Sequence, residues 1–222
     1  MLLPNHLATM RLGIHPGWVP PAAPERLSLT KPPPAYSRIV STPRVAGQND
    51  RIGDCFPTAC LNGVETTICA RLGESAQIMA LPDELAVVAY EGMTGYVPGQ
   101  PATDQGTDPE AGFAWWQKNA IAGYRLVKAA PIDPKAQADI RHIIATSLGV
   151  LLCISLSTDN QNQRVLTPVG EEGSWGGHAV WMDGYDGALT SGTSWGEPFY
   201  LDQSFFDAGW VMAAYALTLA PT

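Results

Sequence analysis

Gln48-Asn49-Asp50-Arg51-Ile52-Gly53-Asp54-Cys55-Phe56-Pro57-Thr58-Ala59-Cys60 turns a polar loop into a helix, with a cysteine at the junction. The carboxylate of Asp54 is suited to cap the orphan amides of a first helical turn. Pro57 falls inside that turn, where its missing N–H costs little. Cys60, Val64, Ile68 and Leu72 recur every four residues as one apolar stripe, and Gly73 ends the run. Cys55 is therefore expected at a helix N-terminus, where aligned amide dipoles favour a thiolate. The neighbouring Asp54 opposes this unless its carboxylate turns inward as the cap. A small apolar cysteine opening a core helix has the same local sequence, so the stretch needs a partner before it implies chemistry.

Upstream of this loop, residues 1–47 hold nine of the 19 prolines, including Pro20-Pro21 and Pro32-Pro33-Pro34. Neither helical nor strand periodicity survives so many breaks, so the segment reads as an extended arm. Its apolar residues (Leu12, Ile14, Trp18, Val19, Leu27, Leu29, Tyr36, Ile39) are too many for a solvated linker. The arm is expected to lie on its own body or on a neighbouring subunit. Charge agrees: the arm carries +4 and the remainder −12, within a net charge of −8. An acidic body argues against nucleic acid as a partner.

Downstream, Leu81-Pro82-Asp83-Glu84-Leu85 opens a short helix to about Tyr90, and residues 92–108 form a loop. Asp108-Pro109-Glu110 starts a helix with Phe113, Trp116, Ala120 and Ile121 on one face, stopped at Gly123. A strand is expected over 124–129. Asp133-Pro134 then caps a helix with Ile140, Ile143, Ile144 and Leu148 inward, ended by Gly149. Residues 150–156 are a continuous apolar run, read as a strand buried on both faces with Cys153 in the core. Strands are expected at 178–185, 188–193, 197–201 and 210–217, separated by glycine and aspartate turns. Helices first and strands second indicate an α+β chain of one domain over 48–222, with a helical lobe at about 48–148 and a β lobe at about 149–222.

Cys55, Cys60 and Cys69 lie on one helix too far apart to pair, and no C-x-x-C is present, so neither disulfides nor a thiolate metal site are expected. No cofactor is implied. Nothing approaches a membrane span or a signal-peptide core, so a cytoplasmic or particle-assembled product is expected.

A nucleophilic cysteine needs a base, and four histidines are available. His6 and His15 lie in the arm, and His142 sits mid-helix beside Arg141. His178 starts a strand directly after Gly176-Gly177, and Thr193-Ser194-Trp195-Gly196 follows the next strand. Three blocks in this order resemble the papain-like cysteine peptidases. Gln48/Asn49…Gly53-Asp54-Cys55-Phe56 resembles their cysteine block, His178-Ala179-Val180-Trp181-Met182-Asp183-Gly184-Tyr185 matches their histidine block, and Thr193-Ser194-Trp195-Gly196 resembles their Asn-Ser-Trp-Gly block. Intervals of 123 and 138 residues from Cys55 to His178 and to Thr193 fit that family's spacing.

The resemblance, over about residues 48–217, implies a papain-like two-lobe fold. It implies Cys55 as nucleophile, His178 as base, Thr193 in the place of the orienting asparagine, and Gln48 or Asn49 as oxyanion donor beside the Cys55 amide. Threonine is a departure, since its hydroxyl is shorter than an asparagine amide. Aspartate before the cysteine and phenylalanine after it are others. The implied activity is a thiol peptidase or related amidase acting on peptide or protein. The alternative is a weak or inactive papain-like module in a particle such as a virion, anchored by its arm.

Overall fold

The computed structural model describes residues 13–21, 31–37, 44–72 and 80–222. The expected helix stop at Gly73 and the arm residues Leu12, Leu27, Leu29 and Ile39 lie outside them. In chain order the elements are β1 (Ala35–Ser37), α1 (Cys55–Leu72), α2 (Glu84–Thr94), α3 (Pro109–Trp116), β2 (Tyr124–Ile132), α4 (Gln137–Ser147), β3 (Val150–Leu156), β4 (Val165–Leu166), β5 (Gly176–Asp186), β6 (Leu189–Ser194), β7 (Glu197–Asp202), α5 (Gln203–Asp207) and β8 (Val211–Pro221). The chain is α+β. Seven strands run in the order β2-β8-β3-β5-β6-β7-β4, and β1 joins the free edge of β5 by pairing Ala35 with Asp186. All pairs are antiparallel except β4 with β7.

Strand alternation divides the core. In β3, Leu151 and Cys153 face α1, α2 and α3 together with Ala179, Trp181, Ala213 and Tyr215. Val150, Leu152, Ile154 and Leu156 face the other way, against Ile140 and Ile144 of α4 and Phe205 and Phe206 of α5. Burial on both faces explains why β3 is uniformly apolar. α1 is buried on nearly all sides from Cys55 to Thr66, and only its last turn emerges, with Leu72 exposed. No helix among the described residues is long and apolar enough to cross a membrane.

Several boundaries depart from the sequence expectation for local reasons. α2 continues past Gly92 and ends at Gly95, whose φ of 75° supplies the left-handed cap. Gly92 is there for packing: a Cβ on it would lie 2.4 Å from the Trp115 ring. α3 stops at Trp116, earlier than Gly123, although Asp108 caps it as expected by accepting the Ala111 amide at 3.0 Å. α4 starts at Gln137 without the cap expected from Asp133, and Leu148, at φ 76°, takes the left-handed position ahead of Gly149. Residues 124–147, which the sequence groups with the helices, are built into the sheet layer, since β2 pairs with β8 and α4 packs on β5.

One close approach in the sheet sets the frame for the site. β5 bulges between Met182 and Gly184, opposite Gly192 and Ser191. A Cβ on Gly192 would lie 2.1 Å from the Trp181 carbonyl oxygen and 2.7 Å from the Met182 Cα. Backbone cannot yield to it, so Gly192→Ala should destabilise the fold by about 2–3 kcal/mol. A melting midpoint lower by roughly 5–10 °C would register this, and an unchanged midpoint would refute it.

Candidate active site

The cysteine block folds around two carboxylates. Asp54 does not cap α1; its Oδ2 accepts the Gln48 amide at 2.8 Å and closes the loop back on itself. Asp83 reaches the same loop, accepting the Ala46 and Gly47 amides at 2.8 and 3.0 Å. Burial raises the Asp54 carboxyl to about 7, against the pull of the Gln48 amide, with Asp83 and Asp104 adding to the rise. Asn49 turns inward: it is 3% exposed and its Nδ2 donates to the Ala46 carbonyl at 2.8 Å. The Gln48 side chain is half-buried and makes no hydrogen bond within the described residues.

Cys55 opens α1 as expected, but it is 1% exposed, and its Sγ accepts the Ala179 amide at 3.3 Å. Burial pushes the thiol up to about 12, despite the amides of Ala179, Gly13 and Phe56. The dipole of α1 is therefore outweighed by desolvation in this state. Ala179 is the residue after His178, so the β5 position that bonds the thiol is next to the one that carries the imidazole. No hydrogen bond joins the two side chains. His178 is fully buried, and burial alone brings its imidazole down to about 3.

The histidine has a partner that sequence spacing does not indicate. Ser194 Oγ lies 2.7 Å from His178 Nε2, whereas Thr193 pairs across the sheet with Trp181 and Pro198 and makes no hydrogen bond to the ring. The position occupied in the resemblance by the orienting asparagine is thus offset by one residue, because Ser194 is the last of β6 and faces opposite to Thr193. Trp195 stacks on the imidazole at 4.5 Å and 10°, and Phe199 meets it edge-on at 6.5 Å.

The arm runs through this site. Ile14 donates its amide to the Gly177 carbonyl at 3.2 Å and bridges to Thr107, whose amide meets the Gly13 carbonyl at 2.6 Å while its own carbonyl accepts His15 at 3.0 Å. Gly13 threads between Gly53 and Gly106: a Cβ on Gly13 would lie 2.0 Å from the Gly53 oxygen. The two walls are tied by one carboxylate, as Asp104 Oδ1 accepts the Gly53 amide at 2.9 Å and the Tyr90 hydroxyl at 2.7 Å. Tyr90 in turn accepts the Gly106 amide at 2.9 Å. Beyond the cleft, Trp18 donates its indole N–H to Glu110, which also receives the Tyr215 hydroxyl at 2.8 Å. Nothing in the arm's composition marks Gly13 as the residue over the thiol.

No protein-family model and no curated protein sequence matches the chain. Among solved structures, xylellain, a cysteine protease from Xylella fastidiosa, superposes with a TM-score of 0.67 at 16% identity over 94% of this chain and 97% of its own. ProCathepsin B S9 from Trypanosoma congolense gives 0.64 at 12% identity, covering 96% and 88%. The proform of the ragweed pollen cysteine protease Amb a 11 gives 0.64 at 15%, covering 90% and 71%. The chain has the fold of the papain-like cysteine proteases.

Proposed function

We propose that this chain is a thiol hydrolase of peptide bonds, held latent by its own arm. In the reaction, the Cys55 sulfur attacks the substrate carbonyl carbon and forms a thioester, while His178 receives the thiol proton and passes it to the departing amine nitrogen. Water then enters with His178 as base, the thioester breaks, and the proton returns to sulfur. Gln48 is the side-chain oxyanion donor beside the Cys55 amide, since the Asn49 amide is already engaged with Ala46. The observation that carries the latent reading is the backbone ladder from Gly13, Ile14 and His15 to Thr107 and Gly177, directly over the thiol. The proforms among the structural relatives support it. A casein or generic peptide assay under reducing conditions tests the activity on a chain whose arm is displaced. Turnover should appear there, vanish on alkylation of Cys55, and be absent in Cys55→Ala; turnover surviving in Cys55→Ala would refute the assignment.

A further inference from the structure

Resting on the acyl-transfer reading above, we infer that Ser194 is the residue that positions His178 and sets its tautomer, and that Thr193 has no part in this. Its hydroxyl is the hydrogen-bond partner of Nε2, and Nδ1 is buried without one among the described residues. A hydroxyl both donates and accepts, which an asparagine carbonyl cannot do. When Ser194 Oγ accepts the Nε2 proton, Nδ1 carries the lone pair that a base requires; when Oγ donates, Nδ1 holds the proton and the base is lost. The choice at Nε2 thus decides the chemistry at the opposite nitrogen.

A second observation points to the same place. Ser194 pairs with Glu197 across a two-residue hairpin turn, and both central residues have positive φ: 51° at Trp195 and 72° at Gly196. Glycine accepts that conformation freely, whereas a bulky tryptophan is strained there. Such strain persists only where the surroundings enforce it, and it marks functional positions. Its product here is the Trp195 ring lying flat on the imidazole while Ser194 holds the ring's edge. Tilt is fixed by the indole and in-plane rotation by the hydroxyl.

The test combines Ser194→Ala, Ser194→Thr and Thr193→Ala, each in the full chain. Nitrogen-15 shifts of the His178 ring report the tautomer without any need for activity. Turnover of a generic peptide is measured for the same variants carrying Gly13→Ala, which displaces the arm. Ser194→Ala should move both ring nitrogens toward tautomer-averaged shifts and lower kcat by about 10²-fold with KM within about twofold, the range expected when a general base loses its orientation. Ser194→Thr should restore both readouts, and Thr193→Ala should change neither. Unchanged shifts in Ser194→Ala, or changes that follow Thr193→Ala instead, overturn the inference. If no variant turns over peptide while the shifts still follow Ser194, the hydrolase reading fails and the positioning of the imidazole stands.

Discussion

Gly13→Ala should raise the alkylation rate of Cys55 by on the order of 10²-fold at pH 7.5, net of the two opposing effects below. The substituted Cβ would meet the Gly53 carbonyl oxygen at 2.0 Å and its carbon at 2.4 Å, both backbone atoms, so the arm has to leave the cleft. Water then reaches a thiol that burial had pushed up to about 12. A return toward the ordinary thiol value of about 8.5 enlarges the thiolate fraction by about 10³-fold. Lower basicity makes each thiolate a weaker nucleophile, which gives back about 30-fold. Iodoacetamide kinetics with Cys55 located by peptide mass spectrometry measure the outcome, and Cys60 and Cys153, fully buried in the core, serve as slow internal controls. Equal rates in the two chains would mean that Gly13 does not hold the arm over the sulfur.

Asp104→Ala carries the largest expected loss of stability. It strips the acceptor from the Gly53 amide and from the Tyr90 hydroxyl, and Tyr90 is completely buried. Leaving each without a partner costs about 1–3 kcal/mol, so about 2–6 kcal/mol together. Asp104→Asn keeps an acceptor oxygen and should lose less than half of that. The slot between Gly53 and Gly106 should loosen with the carboxylate gone, making the arm an easier target for limited proteolysis. Urea unfolding and trypsin digestion at Arg11 and Arg26 report the two effects separately. Loss of stability in Asp104→Asn equal to that in Asp104→Ala would show that the charge, not the hydrogen bonds, is what matters.

Much of the fold was legible because it rests on periodicity. The stripe from Cys60 to Val64, the run from Val150 to Leu156 and the strands from His178 onward are read directly from apolar spacing, and their burial follows. The cysteine and histidine blocks stand out in the sequence by their order, and in the structure the amide of Ala179, the residue after His178, is donated to the Cys55 sulfur. What escaped depends on single-residue geometry. Ser194 rather than Thr193 meets the imidazole because strand alternation sends neighbouring side chains to opposite faces, a matter of register that motif spacing does not resolve. Asp54 closes onto Gln48 instead of capping α1 because Gly47, at φ 63°, bends the loop back toward it. The arm's path has no periodic signature at all, since its bonds to Thr107 and Gly177 are made by backbone alone.

The arm is fastened to the body on the far side of its cleft segment as well. Residues 35–37 extend the sheet beside β5, and Arg44 is clasped by Asp183, the Thr66 hydroxyl and the Asn62 carbonyl. Gly13 is thus a ligand leashed to its own receptor. Because the cleft segment and the body belong to one chain, their encounter is intramolecular, and its effective concentration does not fall when the protein is diluted. Any molecule entering the cleft competes with that local concentration, not with the amount of protein in solution. Dilution alone should never clear the cleft, whereas one cut between the cleft segment and β1 converts the same contacts into an ordinary bimolecular complex that dilution dissolves.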